Sequence, residues 1–180
     1  VTAPGSAPGS AAVRLGRPVP EEAEAIAALN NRFAPDGLTL PRTAAWVEQH
    51  LADYRVARDA DGTIVGCVCV DEYTPALAEL VSLAVHPDAQ GRGLGKQLIQ
   101  AAIALARQRG YATLFAVSFS DELFLSQGFR ATSVDHFPEK VARYAAISRS
   151  EVKLGRKFCF AVEVGPASPT GTVPASVRAG

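Results

Sequence analysis

Methionine is missing from all 180 residues, position 1 included, and cysteine, tryptophan and tyrosine are scarce at three, one and four. Without an initiator, the sequence is expected to be a processed chain or a piece of a longer one. The cysteines, Cys67, Cys69 and Cys159, are odd in number and sit inside apolar runs. That suits reduced core thiols and excludes a disulfide framework, with Cys67 and Cys69 sharing one face of a strand. Two thiols with no fitting histidine or further cysteine make a poor zinc set, so no metal is expected. No apolar run approaches the roughly 20 residues of a membrane span, and the start lacks the basic-then-apolar layout of a secretion signal. A cytoplasmic protein with no membrane partner is expected. Lys plus Arg balances Asp plus Glu at 18 each, which removes the global field that nucleic acid binding needs.

What remains is 48% hydrophobic, enough for one domain with a real core. Residues 1–12 and 165–180 are rich in Pro, Gly, Ser and Ala and read as flexible tails or linkers, leaving 13–164 as the domain. Within it "VRLGRP" reads as a short strand, and "PEEAEAIAALNNRF", with proline and acids at its front, as a helix. "PRTAAWVEQHL" is a second helix, expected to begin near Arg42. "YRVARD", "TIVGCVCVDEY" and "LAELVSLAVH" are strands, the first two joined by a "DADG" turn. Leu94, Leu98, Ala101, Ala102, Leu105 and Ala106 recur at helical steps up to Gly110. "ATLFAVS" is a buried strand, "DELFLSQGF" a short helix stopped by Gly128, and "EVKLGRKFCFAVEV" a long final strand. This order predicts an α/β protein with a mixed sheet.

Between the third of these strands and the long helix lies "QGRGLG", residues 90–95. A nucleotide-triphosphatase loop would need glycine where Gln90 stands and Ser or Thr where Gln97 follows Lys96; a dinucleotide fingerprint would need glycine where Lys96 stands. Both fail. Glycines between a strand and a helix still let backbone N–H groups converge on an anion, and the helix N-terminus adds partial positive charge.

Gln90, Gly93 and Gly95, after "SLAVHP", match the Gln/Arg-x-x-Gly-x-Gly/Ala signature, and the sequence here resembles the GNAT superfamily of acyl-CoA N-acetyltransferases. The resemblance implies the GNAT-like fold, a central, mostly antiparallel sheet with flanking helices, and acetyl-CoA as co-substrate. It implies CoA contacts from Leu83, Ala84 and Val85 on a strand that splays from its neighbour. Further contacts would come from Gln90, Gly91, Arg92, Gly93, Leu94, Gly95 and Lys96, and from Phe124, which stands where many members carry a tyrosine. Arg92 and Lys96 serve equally as solvated charges at a helix start.

Over most of the domain, "LTLPRTAAWVEQHL", "GTIVGCVCV", "AELVSLAVHP", "LFAVSFSDELFLSQGF" and "VDHFPEKVARY…SRS" are similar to the acetyltransferase domain of bacterial N-acetylglutamate synthases. That similarity implies L-glutamate as acceptor, in the first step of arginine biosynthesis. Its carboxylates would meet Arg42 and Arg149, with Leu40 and Ser82 completing the substrate site. Glu79 would be the general base, the alternative being a strand-end carboxylate in solvent. Ser118 would protonate the departing sulfur or hold substrate, the alternative being a cap for the following helix. A GNAT enzyme for another small amine, amino acid or protein N-terminus, and a non-catalytic CoA-binding module, are the other functions the residues allow. The expected partners are the small amine and either a second copy in a homodimer or a domain ahead of the N-terminus.

Overall fold

The computed structural model describes residues 13–146 and 158–165. Seven strands form one sheet in the order β1-β2-β3-β4-β5-β7-β6. They are β1 Arg14–Gly16, β2 Tyr54–Arg58, β3 Ile64–Thr74, β4 Leu77–Val85, β5 Thr113–Ser118, β6 Arg130–Thr132 and β7 Phe158–Glu163. The β4–β5 pair is parallel and the other pairs are antiparallel. A parallel pair needs a crossover, supplied here by the helix the periodicity predicts. The helices are α1 Ala23–Asn31, α2 Ala44–Gln49, α3 Leu94–Gln108, α4 Asp121–Leu125 and α5 Pro138–Ala146.

Each strand sends alternate side chains to opposite faces. Val68, Val70, Ala78, Leu80, Leu114 and Ala116 meet the apolar side of α3, whose Leu98, Ile99 and Ala102 are fully buried. Tyr54, Val56, Cys67 and Cys69 meet α1 and Val47 of α2 on the other face. Further along that face Phe115 and Cys159 pack with Phe137, whose ring stacks on Phe115 at 4.3 Å just before α5 begins. The two cysteines of β3 do share a face, and burial pushes the Cys67 thiol up to about 12 and the Cys69 thiol well above its ordinary value.

Several boundaries differ from the sequence reading. The second helix starts at Ala44, because the Thr43 hydroxyl accepts from the Trp46 N–H and caps it. Arg42 therefore lies in the preceding loop. β6 and α5 were not anticipated: β6 has three residues, too few to show alternation. Of the long final strand, Phe158–Glu163 is strand, while 151–157 lie outside the described residues. The "DADG" turn forms as expected, with Asp59 Oδ1 accepting from the N–H groups of Asp61 and Thr63.

Two outcomes test this packing. Leu98→Ala should lower unfolding free energy by about 3 kcal/mol in urea, since the cavity would open between α3 and two strands. The Cys67 thiol, raised from 9.0 to about 12, favours the fold fully below pH 9 and loses that contribution as pH climbs towards 12. The urea midpoint should fall between pH 8.5 and pH 11, and Cys67→Ala should shrink that fall.

Candidate active site

β4 follows β5 for three residues only, Leu77 to Glu79 opposite Thr113 to Phe115. From Leu80 onwards β4 has no partner on that side among the described residues, while β5 stays paired to β7 through Ser118. The cause lies on the other edge of β4. Cys69 faces Val81 and Cys67 faces Ala84, so β4 carries one surplus residue. A bulge of this kind bends the strand and increases its twist. Ser82 takes the strain, with a left-handed φ of 54° in a residue other than glycine. The bulge also flips the alternation: Glu79 lies on the α1 side with Val81, and after the extra residue Ala84 returns to that side.

The opening between β4 and β5 is a cleft of about 460 Å³. Leu80–Val85 form one edge, and Val117, Ser118 and Phe119 the other. The glycine loop closes one end. Gly91 and Gly93 both have φ 75°, a region that opposes any side chain. Among the described residues no protein acceptor meets the N–H groups of Gly91 through Lys96, and the first bond into α3 runs from Gln97 N–H to Gly93 O. These are the orphan donors of a helix start, an arrangement suited to an anion. Gly91, Gly93, Leu94, Gly95 and Lys96 line the cleft, whereas Arg92, an exposed residue, is not among those that line it. Gln90 lines it too, and its Nε2 donates to Val85 O at 3.0 Å, tying the loop to the end of β4. Phe124 contributes to the floor from the core, stacked on Phe160 and edge-on to Phe129, and is 2% exposed.

Glu79 is buried rather than facing solvent. Lys140 Nζ lies 2.7 Å from each carboxylate oxygen, and the Tyr73 hydroxyl donates to Oε2 at 2.8 Å. Burial, then the charge of Glu79, pushes the Tyr73 hydroxyl well above its ordinary value, so it remains a donor. Lys140 sits in the quoted "VDHFPEKVARY" segment, yet sequence reasoning gave it no role. A single lysine on an amphipathic helix carries no signal of burial; only the approach of α5 to the start of β4 brings it to Glu79. Ser118, at the tip of β5, accepts from Ser120 N–H at 3.1 Å and lines the cleft. The residue at the α4 N-cap is Ser120, not Ser118.

The facing wall is the loop between α1 and α2. Phe33, Leu38, Thr39, Leu40 and Arg42 reach the cleft from it. The Arg42 guanidinium lies 3.9 Å over the Trp46 ring, and its Nε is buried without an acceptor among the described residues. A buried charged donor left open in this way calls for a ligand acceptor. Leu40 and Ser82 also line this cleft; Arg149 lies outside the described residues.

A splayed strand with exposed main chain, meeting a helix N-terminus through a glycine loop, defines an acyl-CoA N-acyltransferase. The sequence model of the acetyltransferase (GNAT) family matches residues 23–129, more than half the chain, and the protein belongs to that family. An uncharacterised N-acetyltransferase of Chlorobaculum tepidum is 30% identical over 122 residues, which is 68% of this chain and 78% of that one. The amino-acid acetyltransferase of Neisseria meningitidis is 34% identical over 116 residues, 63% of this chain and 26% of the relative. This chain thus matches about a quarter of that relative's length. Among solved structures, N-acetylglutamate synthase from Neisseria gonorrhoeae, complexed with coenzyme A and N-acetyl-glutamate, superposes with a TM-score of 0.74 at 27% identity. That match covers 87% of this chain and 36% of the other.

The first turn of α3 can be tested apart from stability. Gly95 has helical backbone, and a Cβ there would stand 3.6 Å from Leu123. Gly95→Ala should therefore leave urea stability equal or raised by up to about 1 kcal/mol, yet weaken CoA binding in calorimetry because the methyl crowds the donor array. Gly93→Ala, with its left-handed φ, should lose about 1 kcal/mol of stability. Undiminished CoA affinity in Gly95→Ala would remove this turn from the binding site.

Proposed function

We propose that the protein transfers the acetyl group of acetyl-CoA to the α-amino group of L-glutamate, by direct attack within a ternary complex. The observation that carries this reading is Arg42: a guanidinium with a buried, unmet Nε on the wall facing the splayed strand. Guanidinium takes carboxylates in a two-point grip. The resemblance to amino-acid acetyltransferases over this domain supports an amino acid as acceptor.

In this reading the pantetheine arm lies along Leu83–Val85, the diphosphate rests on the N–H groups of Gly91–Lys96, and Lys96 adds charge from the cleft side. A main-chain N–H of the bulged segment polarises the thioester carbonyl. Arg42 takes one carboxylate of glutamate and Arg149 the other. Glu79 accepts a proton from the ammonium, directly or through water, using lone pairs that Lys140 and Tyr73 leave unused. The freed amine attacks the carbonyl carbon; the C–S bond then breaks as the second nitrogen proton passes through Ser118 to the thiolate. The products are N-acetylglutamate and CoA thiol, with one proton released from Glu79. Holding both reactants in one cleft supplies much of the rate.

The test is amine-dependent release of CoA thiol by purified protein with glutamate, glutamine and aspartate. Glutamate should give the highest kcat/KM. Arg42→Ala and Arg149→Ala should each raise the glutamate KM by about tenfold or more while the acetyl-CoA KM stays within twofold. Glu79→Gln should lower kcat by about 10²-fold. Equal kcat/KM with glutamate and with an added control amine that lacks a carboxylate would rule the acceptor out.

A further inference from the structure

The cleft wall that carries Arg42 is a loop, and a guanidinium on a loop is useful only if the loop is held still. The last two residues of α1 hold it. Asn31 Nδ2 donates to Arg42 O at 2.8 Å while Asn31 Oδ1 accepts from Arg42 N–H at 2.8 Å, so one side-chain amide pairs with the backbone as a neighbouring strand would. Asn30 Nδ2 donates to Leu40 O at 2.8 Å and to Asn31 Oδ1 at 3.0 Å. The buried Thr39 hydroxyl donates to Asn30 O at 2.7 Å. Four bonds thus fasten the loop to the helix end on either side of Pro41, and the Asn30–Asn31 bond joins the two amides.

The side chain is fixed at its other end by aromatic rings. The guanidinium rests on the face of Trp46, which stacks at 3.9 Å on His50, whose Nδ1 lies 2.7 Å from Trp46 O. Trp46 packs edge-on to the fully buried Tyr54 as well. None of these groups is an acid. Among the described residues no carboxylate pairs with Arg42, whereas Arg58, Arg109 and Arg143 all have one. The arginine is held by neutral partners that fix its place and leave its charge to a ligand.

We propose that Asn31 and Trp46 are positioning residues for Arg42, aiming its guanidinium into the cleft and so setting the preference for an acidic acceptor; this rests on Arg42 being the acceptor's carboxylate contact. Asn31 is suited because its side-chain amide offers a donor and an acceptor at the spacing of a peptide unit. Aspartate keeps the acceptor for Arg42 N–H but sets a carboxylate oxygen against the Arg42 carbonyl. Alanine loses both bonds. Trp46 is suited because a flat ring restrains a guanidinium without neutralising it.

The experiment is calorimetric titration of N-acetyl-L-glutamate into the CoA-saturated full chain, with CoA affinity measured alongside. Asn31→Ala should weaken N-acetyl-L-glutamate by about tenfold, Asn31→Asp by at least as much, and Trp46→Leu by about three- to tenfold, each with CoA affinity within twofold of wild type. In an Arg42→Ala background the same substitutions should add less than twofold, because they act through the missing side chain. Effects that add fully in that background, or CoA affinity falling in step, would overturn the proposal, since both mark independent or general damage. Asn31→Asp serves if Asn31→Ala does not fold. If Arg42→Ala leaves affinity unchanged, or the wild-type CoA complex does not bind N-acetyl-L-glutamate, the acidic-acceptor reading fails and this proposal with it. If Arg42→Ala weakens binding while the Asn31 and Trp46 variants do not, this proposal fails alone.

Discussion

One residue separates Cys67 from Cys69 on β3, while two separate their partners Ala84 and Val81 on β4. The surplus at Ser82 and Leu83 forces β4 to bend, and a bent β4 cannot follow a straight β5 beyond Glu79. Main-chain groups that would have paired across the sheet are left facing a cleft. Glu79 sits where the strands part, Ser118 at the tip of β5, and the strand's exit leads straight into the glycine loop. A sheet with regular pairing to Val85 would have closed over all of these positions. The left-handed backbone of Ser82 costs roughly 1–3 kcal/mol, so the surrounding sheet and α3 must hold it there.

That support is visible in the packing. α3 presents Leu94, Leu98, Ile99 and Ala102 to the sheet, and they sit beneath β2, β3 and β4 with almost no exposure. At Gly66 the approach is so close that an added Cβ would stand 2.9 Å from the Leu98 side chain. The same anchoring fixes the N-terminus of the helix at the mouth of the cleft. Its donors remain open while the rest of the helix is locked, which is the preorganisation an anion site needs.

The fold was legible wherever a pattern extended over several turns or a whole strand. α3 shows steps of three and four over fifteen residues, and β3 runs without a break to Thr74. The glycine loop was legible because left-handed backbone at Gly91 and Gly93 demands that residue. The partners of the site were not. Lys140 and Tyr73 reach Glu79 from positions 61 and 6 residues away, and Asn31 reaches Arg42 from 11 positions away. Such pairings depend on how elements cross, which local spacing does not encode. The expectation that Arg92 aids the phosphates came from its place in the motif. Arg92 is exposed and is not among the residues that line the cleft.

Stability alone does not account for the Glu79–Lys140 pair. Both side chains are about 95% buried, and removing two charges from water costs as much as their attraction returns, so a buried ion pair rarely stabilises a fold better than apolar residues of equal volume. The neighbouring Asp71–Arg143 pair already ties α5 to the sheet at the surface, through β3 rather than β4. Arg143 also covers Tyr73 at 3.6 Å, shielding the hydroxyl that serves Glu79. Structure therefore supplies a tether at Asp71 and a protected carboxylate at Glu79. A carboxylate held at three points and bordering the cleft has a fixed orientation towards whatever amine enters. Arg42, held by Asn31 and Trp46 on the facing wall, is fixed in the same manner with the opposite charge. In the proposed reading, an acceptor that carries an ammonium and a carboxylate on one carbon satisfies both walls at once, and an amine without a carboxylate satisfies only one.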